Sequence, residues 1–269
     1  MRLPRLMLGA ALLLAATGGQ AAPPTLAEVL AQPHRSSDNR ARDVYRHPAE
    51  TLAFFGLKPD QHVVEVWPGR GWYAEILAPY LHASGDYTAA GFVTDPRKNQ
   101  ESYQVESAKR LKARFDAAPE LFGKAKVTQL GLPDAWTAAP AGSADLVLTF
   151  RNVHNWLEDD SAGLMFKSFF TALKPGGVLG VVEHRAKPGT SLDTMSKSGY
   201  VTEAFVIELA EAAGFKLDAR SEINANPRDT TDHPEGVWTL PPSLKLGEKD
   251  RDKYLAIGES DRMTLRFVK

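Results

Sequence analysis

Short, mostly apolar runs that alternate with helical segments are the feature that most constrains the fold of this 269-residue chain. His62–Val66 and Ala144–Phe150 are bounded by turns, and such runs are typical of parallel strands buried on both faces. Parallel neighbours need a crossover helix between them, and the amphipathic segments Tyr73–Leu81 and Thr202–Ala213 stand where such helices belong. The alternation therefore predicts an α/β protein with helices on both faces of its sheet.

The end of the chain departs from this parallel pattern. In Arg262–Val268 every second residue is apolar, which is the period of a half-exposed strand. A long loop separates it from the preceding strand, Phe215–Ile223, and this spacing predicts an antiparallel C-terminal edge. The other predicted strands are Tyr87–Phe92, Lys126–Leu130 and Val178–Glu183, and the other predicted helices are Thr25–Ala31, Arg40–His47, Pro48–Gly56, Asn99–Ala117 and Gly163–Leu173.

The first 21 residues have the layout of a signal peptide. Arg2 and Arg5 give a positive start, Leu6–Ala16 is apolar, and small residues precede the expected cleavage after Ala21. We therefore expect a periplasmic or secreted protein with no integral membrane association after cleavage, and an uncleaved N-terminal membrane anchor is the alternative. The predicted organisation is a signal peptide at 1–21, a helical cap at 22–60 and an α/β domain at 61–269.

Charge and cysteine content exclude several function classes. The 32 Lys and Arg residues against 33 Asp and Glu leave no basic excess for nucleic acid, so a small-molecule substrate is expected instead. The chain has no cysteine, which excludes disulfides, thiolate zinc sites and cysteine nucleophiles. His154, His184, Asp232 and His233 have no local metal-ligand spacing, and no metal is expected.

The turn after the first predicted strand is the first candidate site. Open parallel sheets bind ligands at the carboxyl ends of their strands, beside the point where strand order reverses, and that point usually follows the first strand. Gly69 and Gly71 allow a close backbone approach there, the next helix presents free N–H groups, and Glu65 adds a carboxylate. The same residues also suit a plain strand-to-helix turn, so both interpretations stay open.

Together with later segments, this turn resembles the class I S-adenosylmethionine-dependent methyltransferases. Their first motif is an acidic residue followed by three alternating glycines, and Glu65, Gly69 and Gly71 match it while Trp67 stands in place of the first glycine. Arg151–Trp156 resembles the active-site loop after their fourth strand, and Leu173–Leu179 contains the Lys-Pro-Gly-Gly turn into their fifth.

The resemblance runs from about Gln61 to Lys269 and implies a Rossmann-like, doubly wound, mostly parallel seven-stranded sheet with an antiparallel C-terminal edge strand and an N-terminal helical cap. Glu65–Gly69, Tyr45–Pro48 and Gly258–Met263 are similar to a bacterial group of exported, predicted methyltransferases.

The resemblance also implies S-adenosylmethionine as cofactor. This sequence differs from the family at two positions. Ala90 and Gly91 stand where an acidic residue usually binds the ribose, which leaves Asp95 as a substitute. At the adenine-binding position, where the family often has Asp, only Gln129 or Asp134 is near. Trp67 is interpreted as narrowing the loop, stacking on a ligand or plugging the pocket. The residues expected to bind the cofactor are Glu65, Trp67, Pro68, Gly69, Gly71, Asp95 and Gln129.

Methyl transfer requires alignment of the reacting atoms and sometimes a general base. Asn152 is expected to orient cofactor or substrate, and His154 is the candidate base, with a hydrogen-bonded structural histidine as its alternative. Glu183 and His184 end the fifth strand at the same rim, and pairing with Arg185 is their alternative role.

Two polar segments complete the candidates. The first is rich in arginine. It is expected either to hold an anionic substrate or the cofactor carboxylate as a lid over the crevice, or to form a solvated helix face. The second, Asn224–Trp238, is a long loop that either closes over a substrate or crosses the sheet edge. The first segment contains Arg40, Arg42, Asp43, Tyr45, Arg46 and His47, and the second contains Asp229, Asp232, His233 and Trp238.

The main alternative to an enzyme is an exported, non-enzymatic or repurposed ligand-binding protein on the same fold, because fold alone does not establish function.

Overall fold

Seven strands form one mixed sheet in the computed structural model, which describes residues 23–94 and 102–269. The strands are β1 (His62–Val66), β2 (Asp86–Phe92), β3 (Lys126–Leu130), β4 (Ala144–Phe150), β5 (Leu173–His184), β6 (Lys216–Ser221) and β7 (Arg262–Val268). Their order is β3-β2-β1-β4-β5-β7-β6, and β7 runs antiparallel to both of its neighbours. The predicted α/β fold class is confirmed. The expected signal peptide at 1–21 and Asp95 lie outside the described residues.

Helices cover the sheet and precede it. Those before β1 are short. Several short helices in later loops were not predicted, among them Pro119–Phe122, Leu192–Ser198 and Arg251–Ile257, together with two 3-10 turns. The helices are α1 (Leu26–Ala31), α2 (Ser37–Arg40), α3 (Asp43–Arg46), α4 (Pro48–Phe54), α5 (Ala74–Leu81), α6 (Tyr103–Ala117), α7 (Pro119–Phe122), α8 (Ala162–Ala172), α9 (Leu192–Ser198), α10 (Glu203–Ala213) and α11 (Arg251–Ile257), with 3-10 turns at Val153–Trp156 and Gly236–Thr239.

Each face of the sheet buries its own hydrophobic core. On one face Val64 and Val147 pack with side chains of α8 and α10, such as Phe166. On the other face Val63 and Leu148 belong to a core that the cap and α5 complete. Because alternate residues of a strand point to opposite faces, the central strands are apolar almost throughout, as parallel strands require. Within the described ranges, no helix has the length and apolar character needed to cross a membrane.

Two details of the sheet differ from the sequence prediction. β5 begins at Leu173 rather than Val178, because Leu173 already pairs with Ala144 and the Lys-Pro-Gly-Gly turn bulges out between this pair and the next, Leu146 with Val178. The C-terminal strand β7 is antiparallel but inserts between β5 and β6, so β6 forms the edge. The prediction placed both strands correctly but not their order.

A buried polar network fixes the cap to the first helix after β1. Arg35 is fully buried and pairs with Glu75 of α5 at 3.1 Å and with Asp43 at 2.7 Å. Asn39 donates its side-chain amide to Glu75, and its backbone carbonyl accepts the indole N–H of Trp72. Buried charges of this kind are tolerated only when they are paired and hydrogen-bonded, so the network orients the cap over the carboxyl ends of the strands.

Gly180 shows how closely the cap approaches the sheet. A Cβ atom at this position of β5 would lie 2.7 Å from both Phe55 and Leu148. We therefore expect Gly180→Ala to lower the free energy of unfolding by about 1–3 kcal/mol through overpacking, measured by urea denaturation. Gly163→Ala is the matched control, because Gly163 lies in α8 with open space around it. Equal stability of the two variants would contradict this packing.

Candidate functional site

The carboxyl ends of β1, β4 and β5 meet at one edge and bring three polar segments together. Val66 pairs with Thr149, and Phe150 pairs with Val182, so the chain leaves these strands at neighbouring positions. The glycine turn follows β1, the loop Arg151–Trp156 follows β4, and His184 ends β5. This is the crevice in which open α/β sheets bind ligands.

Trp67 lies across the end of β2 and β3. Its indole N–H donates to the carbonyl of Leu130 at 2.8 Å, and its ring contacts Phe92 and Trp156 with centroid distances of 4.7 and 5.7 Å. A Cβ at Gly131 would come within 3.3 Å of the indole. The backbone of Trp67 has a φ of 46°, a left-handed conformation that is costly for a bulky residue. The indole contacts therefore hold a strained residue in place.

The two glycines of the turn adopt the conformations that the sequence motif anticipates. Gly69 and Gly71 have φ values of 58° and 82°, which side-chain-bearing residues rarely adopt. A Cβ at Gly69 would lie 3.0 Å from the hydroxyl of Tyr103, and one at Gly71 would lie 2.8 Å from Leu111. Helix α6 thus packs against the turn, with the largely exposed Tyr103 nearest to Gly69.

Glu65 is buried beneath the turn. It is 2% exposed, and its carboxyl group accepts a 2.6 Å hydrogen bond from the hydroxyl of Tyr87. Burial raises the pKa of Glu65 to about 7, although the hydrogen bond from Tyr87 and the positive charge of Arg151 oppose this rise. Near neutral pH the group is therefore divided between its neutral and charged forms.

This raised pKa predicts a stability that falls as pH rises. In the unfolded chain the pKa of Glu65 returns to about 4.5, so the native state binds this proton more tightly than the unfolded state does. As pH rises from 4.5 to 7, this preference is lost, and the free energy of unfolding falls by up to about 3 kcal/mol. Glu65→Gln carries no titrating group. We therefore expect the free energy of unfolding of the variant, minus that of the wild type, to increase between pH 5 and pH 8 in urea denaturation series. A difference independent of pH would contradict the raised pKa.

Asn152 joins the ends of β1 and β4. Its side-chain amide donates to the carbonyl of Val66 at 2.9 Å and to the hydroxyl of Thr149 at 3.2 Å. Both amide hydrogens therefore have partners within the protein. Asn152 positions the backbone just before Trp67, and its contact with a ligand, expected from the sequence, stays a prediction.

His154 and Glu183 form a buried dyad. The carboxylate of Glu183 accepts the backbone N–H of Val153 at 2.6 Å and that of His184 at 2.8 Å, and it lies 3.0 Å from Nδ1 of His154. Because the carboxylate accepts from its other two partners, the network assigns the proton of His154 to Nδ1 and leaves the lone pair on Nε2. His154 is 8% exposed, and Nε2 has no hydrogen-bond partner within residues 23–94 and 102–269.

His184 adjoins this dyad. Its ring lies 5.3 Å from that of His154, and its Nδ1 is 2.5 Å from the hydroxyl of Ser260. Burial, followed by the proximity of His154, holds the pKa of His184 well below its usual range. Ligand atoms of His154, Glu183 and His184 all lie within 4.8 Å of one another, as a metal site requires. Both oxygens of Glu183 also accept N–H groups, which orient the carboxylate toward the His154 ring.

Arg185 does not pair with Glu183, contrary to the alternative considered from the sequence. It binds Asp261 and Glu222 at 2.9 and 2.7 Å, which leaves Glu183 to orient His154. Sequence reasoning could not assign Glu183 to His154, because they lie 29 residues apart.

Of the other predicted residues, Trp238 lies beside the dyad and most of the rest lie away from it. Gln129 is exposed on β3, and Pro68 is partly exposed in the turn. In the loop 224–238, Asp229 contacts His233 at 2.8 Å and accepts from the hydroxyl of Tyr200 at 2.9 Å, which anchors the loop to the segment after α9. Asp232 is exposed, and the ring centroids of Trp238 and His154 lie 6.0 Å apart.

The same arrangement of strands occurs in solved structures. A SAM-dependent methyltransferase from Aquifex aeolicus is 14% identical, with a TM-score of 0.55 over 91% of this chain and 98% of that one. The (4+2)-cyclase SpnF is 18% identical, with a TM-score of 0.56 over 89% and 84% of the two chains. CrArsM, an arsenic(III) S-adenosylmethionine methyltransferase from Chlamydomonas reinhardtii, is 14% identical, with a TM-score of 0.53 over 92% and 74%. No family model and no curated protein matches the sequence.

The chain has the fold of the S-adenosylmethionine-dependent methyltransferases. One of these neighbours is named for a cyclisation, so the fold by itself does not fix the reaction. The reaction has to be inferred from the residues of the site.

The crevice fits the expected cofactor at one end only. The glycine turn has the backbone freedom that close approach of a ligand requires. At the ends of β2 and β3, where the resemblance places ribose and adenine, the Trp67 indole lies against Phe92 and the carbonyl of Leu130. A nucleoside bound at these positions would therefore contact this indole.

Proposed function

We propose that the protein is an S-adenosylmethionine-dependent methyltransferase that acts on a small-molecule acceptor. The observation that carries the proposal is the His154–Glu183 dyad, which lies at the same strand edge as the glycine turn. The fold shared with methyltransferases supports the cofactor assignment. Gly69 and Gly71 would hold the cofactor, which would supply an activated methyl group.

The dyad would remove the acceptor's proton. Glu183 holds the proton of His154 on Nδ1, so Nε2 is the atom that accepts a proton from an O–H or N–H nucleophile. The imidazolium formed in this way is stabilised by the adjacent carboxylate. Asn152 would act indirectly, because its amide holds the backbone before Trp67.

Cofactor binding is tested by calorimetric titration of residues 22–269 with S-adenosylhomocysteine. We expect micromolar affinity, about −8 kcal/mol, for the wild type. Gly69→Val should abolish binding of S-adenosylhomocysteine, because valine is strained at a φ of 58° and its side chain crowds the turn. Gly163→Ala serves as the folded control. Equal binding by wild type and Gly69→Val would contradict this pocket.

A second candidate function is favoured by Trp67. If the indole stays on the carbonyl of Leu130, the protein is a ligand-binding protein on a methyltransferase fold. The proposed export to the periplasm supports this alternative, because S-adenosylmethionine is made in the cytoplasm. The wild type would then not bind S-adenosylhomocysteine, whereas Trp67→Gly, which removes both the plug and the strain, would gain binding. Trp67→Phe keeps a ring in the crevice and is the matched control.

The dyad is tested by the tautomer of His154, measured from its ring ¹⁵N chemical shifts. We expect the Nδ1–H form in the wild type and its loss in Glu183→Gln, because one amide oxygen cannot serve three N–H donors. Glu222→Gln removes the same charge from an exposed residue and should leave the tautomer unchanged. An Nε2–H form in the wild type would exclude the proposed base.

A further inference from the structure

Several arginines surround one buried carboxylate beside the dyad. Arg42 and Arg46 of the cap bind Glu259 at 2.6 and 3.2 Å, and Arg262 binds the same carboxylate. Glu259 is 2% exposed. Although burial opposes the effect, the charges of Arg262 and Arg46 hold the pKa of Glu259 well below its usual range. Glu259 is therefore fully charged and already shared by three guanidinium groups.

Arg151 adds a fourth guanidinium group without an acid of its own. Within the described ranges its side chain has no ion pair and no hydrogen bond, and it follows β4 with a φ of 60°. Burial, then the nearby charge of Arg262, lowers the pKa of Arg151 to about 10. The group stays charged at neutral pH. Glu65, the other carboxyl group whose ionisation Arg151 affects, is partly neutral there.

Two donors in this cluster have no partner. Nη1 of Arg46 and Nε of Arg262 are buried without a hydrogen bond, and these residues are only 3% and 2% exposed. An unpaired buried donor is costly, and the cost is greater for a charged group. Four positive groups and one carboxylate thus leave both charge and hydrogen-bonding capacity unmatched.

Residues of the cluster adjoin the proposed reaction site. Arg262 pairs with His184 in the β5–β7 ladder, and Arg151 immediately follows β4, three residues before His154. The charges of Arg262, Arg151 and Arg46 all contribute to the depressed pKa of His184. An anion held by these arginines would lie beside the histidines rather than at a distant surface.

We infer that Arg46, Arg151 and Arg262 form a binding site for an oxyanion, the carboxylate or phosphate group of a small ligand. That the ligand is the methyl acceptor rests on the proposed function, but the anion site itself does not. Guanidinium groups suit this ligand, because they form paired, charge-assisted hydrogen bonds with carboxylate and phosphate oxygens.

The test is a titration of the full chain with inorganic phosphate and, separately, with acetate, at constant ionic strength in chloride. Binding is followed by the NMR shifts of the arginine Nε–H groups. We expect saturable shifts, and an affinity about tenfold weaker in Arg151→Gln. Arg228→Gln makes the same charge change at an exposed position and should bind as the wild type. Saturation by phosphate alone or by acetate alone identifies the anion.

The stability of Arg151→Gln distinguishes a role in anion binding from a structural role for Arg151. Because Arg151 makes no ion pair or hydrogen bond within the described residues and lies near like charges, Arg151→Gln without anion should have a urea midpoint equal to or above that of the wild type. A lower midpoint, no saturable shift with either probe, or unchanged affinity in Arg151→Gln would overturn the inference. Anion binding without S-adenosylhomocysteine binding would retain the site and reject the methyltransferase proposal.

Discussion

Burial of both faces of β1, β4 and β5 is the constraint on which the site depends. Most side chains in the middle of these strands are apolar, because each face packs against helices. Polar groups are concentrated where the chain leaves a strand. Since these strands are parallel, their carboxyl ends share one edge, and Asn152, His154 and His184 meet there.

Trp67 shows how a single side chain alters a crevice that the fold provides. The left-handed backbone at this position suits glycine, yet the residue is tryptophan. Its indole gains a hydrogen bond to Leu130 and ring contacts with Phe92 and Trp156, which offset the strain. The Trp67 indole therefore occupies the edge of the sheet near β3, whereas the polar residues of the site lie at the ends of β4 and β5.

The cap and the C-terminal strand together produce the charged half of the site. Arg46 and Glu259 lie 213 residues apart and meet because α3 packs over the start of β7. The arginine-rich segment was recognised in the sequence both as an anion holder and as a solvated face. The structure places Arg46 inside and leaves Arg40 exposed, so the two interpretations apply to different residues of one segment.

The sequence by itself determined the strands, the main helices and the glycine turn, because hydrophobic period and turn chemistry are local properties. It missed short loop helices such as α9 and α11, whose few residues carry little periodic signal. The pairing of Glu183 with His154, the position of the Trp67 indole and the cluster around Glu259 depend on residues distant in the chain. Only the tertiary structure decided them, since side-chain partners are set by which strand ends and helices the packing brings together.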